Sequence, residues 1–310
     1  MKAVLVHRHG PPEEYTVGDI EVPHAGPGQI QVRIAAASLN AIDLRLATGG
    51  FRGIVDLPFP YVPGGDFSGT VTEVGGGVTA YAMGDLVFGH GIPRAMAGML
   101  PFPKPSLTTG ALAEFAVFEA DTPFIARRPS TLDVETAAAL PTAGLTTNAL
   151  LRQARIQPDE TVLVIGATGG VGTTLLPAIK AGRVIATARA GDIGFIREIG
   201  ATETIDYGDY PPGGVDVVIN LVLPTDHLAD AAKCLKSGGR LYTITFPPPK
   251  PEYIDRDDVR FEMVLDLASG VDAITGLTPS ITRRYALDDG ARALRDFARD
   301  HTVGKLVVVP

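Results

Sequence analysis

Residues 164–172 read VIGATGGVG, and this stretch decides the fold of one half of the chain. Gly166, Gly169 and Gly172 stand three apart directly behind an apolar run. In a strand–loop–helix context each glycine has a separate physical task. Gly166 permits the tight turn, Gly169 lets the backbone approach a pyrophosphate, and Gly172 lets helix and sheet pack closely. The first amides of the following helix then face the phosphates. The whole loop, from Gly166 through Thr168, Gly169, Gly170, Val171 and Gly172, is therefore a candidate dinucleotide cradle.

The sequence on either side supplies that context. Short apolar strands are expected at 161–165, 183–187, 203–205, 216–220, 240–244 and 260–264. Helical patterns at 170–181, 192–199 and 225–235 separate several of them, and Pro177 should kink or shift the first. Strands alternating with helices make a parallel, doubly wound sheet. The Pro-rich FPPPKP at 246–251 is expected in a loop after the fifth strand.

Upstream of about residue 122 the texture differs. Strands are expected at 3–7, 15–20, 29–37, 69–74, 85–88 and 113–118, broken by Gly and Pro, which suggests a small β-barrel or sandwich. One helix is expected in NAIDLRLATGG (40–50), with Asn40 as cap and Asp43 in the first turn. The tail repeats the strand-rich texture, with strands at 281–286 and 305–309 around a helix at 287–299.

Composition narrows the function classes. At 310 residues the chain is long enough for about two domains. A formal charge of −8 argues against nucleic acid as a partner. Cys234 is the single cysteine, so no internal disulfide can form, which suits a reducing compartment. No stretch reaches the roughly 20 apolar residues of a membrane span, and the first residues lack a signal peptide's pattern. The expectation is a cytoplasmic protein with no membrane partner.

The end of the second sheet strand selects the cofactor. NAD sites usually place an acid there for the ribose 2′-hydroxyl. Here VIATARAGD (184–192) offers Arg189 instead, and a guanidinium can pair with the 2′-phosphate of NADP. The alternative for Arg189 is a solvated surface side chain, and Asp192 lies close by.

Four stretches in order carry a family resemblance: VPGGDFSGTVTEVG (62–75), AAALPTAGLTTNALL (137–151), VLVIGATGGVG (162–172) and CLKSGGRL (234–241). Together they resemble the zinc-independent medium-chain dehydrogenase/reductases, in particular the quinone oxidoreductases. The resemblance implies an α/β fold with a GroES-like β-barrel domain (1–122 and 269–310) interrupted by a Rossmann dinucleotide-binding domain (123–268). It also implies a homodimer, with substrate in the cleft between the domains.

Zinc relatives hold their metal with a Cys on an early loop and a His in a Gly-His-Glu. This chain has ASLNAID (37–43) with no thiol, and Asp66 and Phe67 where His and Glu would stand. With one cysteine no structural zinc site can be assembled, so no metal is expected. The sequence shows no Ser-Tyr-Lys set and no His-Asp pair. Hydride delivery to a conjugated acceptor needs least from the protein, because a quinone or enone spreads the arriving charge onto oxygen. The expected activity is NADPH-dependent reduction of a quinone or α,β-unsaturated carbonyl. The competing readings are a non-redox cyclase or lyase, or a nucleotide-binding structural protein, on the same fold.

The resemblance places further residues. Asn40 would face the nicotinamide ribose and substrate, besides its capping role. Thr146 would contact the cofactor near the nicotinamide, and the backbone of Asn220 and Leu221 would meet the ribose. Tyr207 would lie against adenine. Relatives often carry a tyrosine where this chain has Phe51, and Tyr61 is the candidate replacement. They also carry a Lys after the arginine position, which GDIGFIRE (191–198) lacks. Finally, the long segment 89–110, with four prolines and Met96, Met99, Leu100 and Phe102, is expected to form a lid over the substrate.

Overall fold

A computed structural model describes residues 1–98, 104–265 and 269–310. Two compact units result, Met1–Thr142 with Leu267–Pro310, and Ala143–Asp266. No helix among the described residues is long and apolar enough to cross a membrane.

The first unit opens with an antiparallel pair, β1 (Lys2–Leu5) and β2 (Thr16–Asp19). A curled sheet follows from β3 (Gln29–Ser38), β4 (Asp66–Val74), β5 (Leu86–His90), β6 (Ile92–Pro93), β7 (Leu107–Thr108), β8 (Phe115–Glu119) and β9 (Ile125–Arg127). β3 organises it. Ile30, Val32 and Ile34 enter the core while Arg33 faces water, and the strand's last three residues, Ala36 to Ser38, are all buried. Its length lets one end pair with β8 and the other with the C-terminal strand, while β4 runs along its other edge. Phe67, Phe88 and Phe118 are fully buried, and Phe67 stacks on Phe118. Between β3 and β4 lies α1 (Ala41–Ala47), which buries Leu46 and Ala47 in the same core.

The division between units falls at Thr142, later than the expected boundary at residue 122. Two elements explain the difference. β9 pairs with β5, which ties it to the barrel sheet. Next comes α2 (Val134–Ala139), capped by Asp133, whose side chain accepts from Thr136 N–H. Ala138 and Ala139 pack with Ala36 of β3, a contact only small side chains allow. Pro141 then opens α3 (Pro141–Ala154), where its missing N–H costs nothing.

The second unit is a six-stranded, wholly parallel sheet: β10 (Thr161–Ile165), β11 (Arg183–Thr187), β12 (Glu203–Ile205), β13 (Val215–Asn220), β14 (Leu235–Thr243) and β15 (Arg260–Met263). The spatial order is β12-β11-β10-β13-β14-β15, so the chain reverses direction across the sheet between β10 and β13. Both faces are covered. Val162 and Val164 point into one core, Leu163 and Ile165 into the other, which is why β10 is apolar throughout.

Its helices are short: α4 (Gly170–Leu175), α5 (Ile193–Glu198) and α6 (Ala229–Lys233). Pro177 neither kinks the expected 170–181 helix nor shifts its start: α4 begins at Gly170 but stops at Leu175, and the chain tightens into a 3₁₀ turn over Leu176–Ala178. The chain then returns to the barrel unit with β16 (Ile281–Ala286), α7 (Gly290–Arg299) and β17 (Lys305–Val309), β17 pairing with β16 and β3.

Candidate active site

The expected site residues fall into two groups, one in each unit. In the parallel unit the glycine loop leaves β10 at the reversal point, where open α/β sheets bind ligands. Gly166 has φ +86, and a side chain there would press on Val222 and Leu221. Its N–H donates to Thr187 Oγ1 at 2.9 Å, so β11 anchors the turn. At Gly172 a Cβ would lie 2.4 Å from the Ala167 carbonyl oxygen, so only glycine allows this packing. Gly169 differs: its backbone is ordinary, and a Cβ would meet nothing closer than 3.5 Å. Gly169 N–H is held by Gly166 O at 3.2 Å, and no side chain caps the first turn of α4, so no side chain covers the amides that open that helix.

Around the loop, Thr168 is buried, while Val171 and Thr146 of α3 are half-buried. Arg189, two residues beyond β11, is exposed, with no ion pair among the described residues. Tyr207 follows β12, 37% exposed, with no ring partner among the described residues. Asn220 is completely buried, and its side chain is committed to the protein. Its amide donates to Leu223 O, Thr243 Oγ1 and Thr245 Oγ1, and its Oδ1 accepts from Val222 and Leu223 N–H. Asn220 therefore shapes the loop after β13, and Leu221 N–H is held by Ile165 O.

The barrel unit holds the second group. Asn40 sits at the N-cap of α1, but its amide turns away from the helix. Its Nδ2 donates to Asp66 Oδ2 at 2.9 Å, and its Oδ1 accepts from Lys305 Nζ at 2.6 Å. Asp43 does the reciprocal capping, accepting from Asn40 N–H at 2.8 Å. Asp66, wholly buried, is the hub. It accepts from Asn40, Ser38 Oγ, and the N–H and Oγ1 of Thr142, and it lies 2.9 Å from His90 Nδ1 and 3.5 Å from Lys305 Nζ.

The charges follow from these contacts. Burial alone would raise the Asp66 carboxyl, but Lys305 and His90 outweigh it and hold it at about 2. Burial pushes Asp43 up to about 6, helped by Asp66 and opposed by the Asn40 N–H. Lys305 is lowered by its own burial, against the pull of Asp66 and Asp43. Tyr61 is buried, and burial together with Asp43 keeps its phenol protonated well above the usual range.

Asp43, Tyr61 and His90 line one narrow crevice with Gly64, Gly65 and Met96, about 20 Å³ in extent, room for about one water. Residue-pattern reading missed His90, Lys305 and Thr187. It found no His-Asp pair, yet the structure forms one, because antiparallel register sets Asp66, first in β4, opposite His90, last in β5. Lys305 did leave a signal, as the lone charge opening the apolar run KLVVV.

The expected lid is only partly described. β6 and β7 pair with each other and β7 with β8, and Met96 is buried in the barrel core instead of covering a mouth. Met99, Leu100 and Phe102 lie outside the described residues.

Family models place this architecture. The alcohol dehydrogenase GroES-like domain matches residues 26–128, and the zinc-binding dehydrogenase model matches 199–308. Rat quinone oxidoreductase is 30% identical over 262 residues, 79% of this chain and 73% of that protein. The chain belongs to the quinone oxidoreductase family of medium-chain dehydrogenase/reductases. Within this oxidoreductase family it is 29% identical to the chloroplastic NADPH-dependent alkenal/one oxidoreductase of Arabidopsis thaliana over 306 residues, 94% of this chain and 75% of that one. The quinone oxidoreductase of Coxiella burnetii superposes with a TM-score of 0.84 at 28% identity, covering 100% of this chain and 99% of the other. A mycobacterial relative solved with NADPH gives 0.80 at 27% identity, with 100% of both chains covered.

The family's zinc-binding members raise the question of a metal. Among the described residues no group of three or more His, Cys, Asp or Glu side chains is placed to hold one. Asp66, where the zinc relatives carry a His, is instead bonded to Asn40, and both are gathered around the Lys305 ammonium. These residues do not fit a zinc ion.

Proposed function

We propose that the chain reduces a quinone or an α,β-unsaturated carbonyl with NADPH, without a metal ion. The observation that carries the reading is the glycine loop at the sheet's reversal point, its helix opening uncapped by any side chain, with Arg189 two residues beyond β11 and without an ion pair among the described residues. When bound, NADPH supplies a hydride from its nicotinamide.

The chain's own residues do the rest. The amides of Gly170 and Val171, first in α4, receive the pyrophosphate, and Gly169 leaves room for its approach. Arg189 takes the 2′-phosphate, Tyr207 covers the adenine, and the Leu221 backbone, held by Ile165 O, borders the ribose. Thr146 orients the nicotinamide end. Asn40, held rigid by Asp66 and Lys305, and the protonated phenol of Tyr61 serve the substrate, where a hydrogen-bond donor stabilises charge arriving on oxygen. The same reading takes a homodimer, on the family resemblance, and a cytoplasmic location, on the single cysteine and the lack of a membrane-spanning apolar stretch.

The test is NADPH oxidation followed with a panel of quinones and enones, together with cofactor affinities of Arg189→Glu. Turnover is expected, and the variant should lose at least about tenfold in NADPH affinity while NADH binding is unchanged (1.4 kcal/mol per decade). NADPH binding with no turnover across the panel would favour a non-redox enzyme or a structural nucleotide. Equal losses for both cofactors would refute the 2′-phosphate role.

A further inference from the structure

The parallel unit carries a groove toward the opposite end of its sheet from the glycine loop. It lies wholly within that unit, spans about 650 Å³, and has Arg155, Arg240, Tyr242, Arg260 and Glu262 on its walls. That volume is in the range of small-molecule sites. Strand register fixes its place. Arg240 of β14 is level with Val217 of β13, which is level with Val162 of β10, four residues before Gly166. At a rise of ~3.3 Å per residue the groove begins about 13 Å down the strands from the loop.

The chain as a whole carries −8, yet guanidiniums dominate this groove. Arg240 is spent on the fold. Its Nη2 donates to Glu160 and to the Ala154 carbonyl at the end of α3, while the Tyr242 hydroxyl donates to the Gln153 carbonyl. These contacts cover the last carbonyls of α3, so the helix does not turn a bare negative end to the groove. Arg152 also lines the groove and is likewise engaged. Arg155 and Arg260 differ: both are exposed, and neither guanidinium makes a hydrogen bond or ion pair among the described residues. Arg260 is paired in register with Arg240, a like-charge neighbour that weakens a sheet. Arg155 follows α3 at φ 45, the left-handed position that helices usually give to glycine, and holds a charged side chain there instead. Glu262, the one acid on the walls among the described residues, bonds to neither.

We infer that this groove binds a small oxyanion with at least two negative charges, engaged by Arg155 and Arg260. Each guanidinium offers a planar fork of N–H donors that matches two oxygens of a phosphoryl or carboxylate group. One exposed ion pair contributes little, so a ligand must engage both forks to stay. Glu262 opposes the anion with a single charge, which selects further for a ligand carrying more than one. The bound anion also screens Arg260 from Arg240. The site needs no nicotinamide, so the inference stands apart from the reductase reading above.

The test is calorimetric titration of pyrophosphate, and separately of citrate, into the full chain at low ionic strength. Expected is saturable binding that added KCl weakens and that persists with saturating NADPH, which fills the glycine loop and leaves the groove open. Arg155→Gly suits the left-handed backbone, and combined with Arg260→Gln it should lower the affinity at least about tenfold. The melting temperature without anion and the NADPH affinity should not change. A control, Arg33→Gln with Arg52→Gln, removes the same charge from exposed positions of the barrel unit and should bind as wild type does. Binding of pyrophosphate alone assigns the site to phosphoryl groups and of citrate alone to carboxylates; either supports it.

No saturable binding of either anion up to about 10 mM overturns the inference. Binding that the double variant keeps, or that NADPH abolishes, does the same, because the anion then sits elsewhere. An equal loss in the control reduces the effect to net charge and removes the site. Sedimentation of the same samples covers the remaining case: a double variant whose oligomeric state differs from wild type, with no anion bound by either, gives the face to a second copy of the chain instead.

Discussion

Replacing Lys305 with Met tests the electrostatic account of the barrel cluster most directly. The ammonium is 3% exposed and 3.5 Å from the carboxylate of Asp66, itself fully buried. At an effective dielectric constant of about 20, that separation corresponds to an attraction of about 5 kcal/mol. Methionine fills much of the volume and removes the cost of burying the ammonium, so the net loss is smaller. It also leaves Asn40 Oδ1 without its donor. Breaking a buried pair from one side typically costs about 3–5 kcal/mol, and we expect Lys305→Met to lose that much.

Asp66→Asn should lose a similar amount, and the double variant much less than the sum. Urea unfolding followed by circular dichroism on all four proteins at pH 7 gives the coupling energy. The acid limb supplies a second readout. With its folded value near 2, below the unfolded ~3.9, Asp66 contributes stability present above pH ~4 and lost as pH falls through 2. Without Lys305 that loss should begin at higher pH. A Lys305→Met protein within about 0.5 kcal/mol of wild type, or strictly additive single effects, would show that Lys305 and Asp66 are neighbours without being a pair.

Two further outcomes follow from single positions. Gly172→Ala places a Cβ against the Ala167 backbone and should cost about 1–3 kcal/mol in stability, whereas Gly169→Ala has room and should melt like wild type yet bind NADPH at least about tenfold more weakly. Thermal denaturation and calorimetric titration of both variants decide it, and equal behaviour would refute the division of labour between the two glycines. Asp43 titrates near 6 when folded, above its unfolded value, so the stability it contributes is present below pH ~4 and lost as pH rises through 6. Asp43→Asn should therefore gain on wild type across that window, by up to about 3 kcal/mol, in urea midpoints measured from pH 4 to 7.5; a constant difference would contradict a buried, raised carboxyl.

How much was legible in the residues depended on the range of the interaction. Strands such as β10, β11 and β17 were readable to their ends, because each is a short, mostly apolar run between turn residues. Helices α2 and α3 were given no bounds from the sequence; Pro141 stands at the first position of α3. The boundary after residue 122 came from a change of texture, but β9 and the alanine face of α2 belong to the barrel through partners far away in sequence.

The sequence by itself determined the doubly wound sheet, the glycine loop and its want of a cysteine-based metal site, because periodicity, backbone freedom and ligand chemistry are local properties. Tertiary structure alone decided that Asp66 meets His90, that Lys305 reaches Asn40 across 265 residues, and that Asn220 spends its side chain on its own loop. Those pairings depend on strand register and on which strands lie side by side, and a one-residue slip in either would place the same side chains on opposite faces.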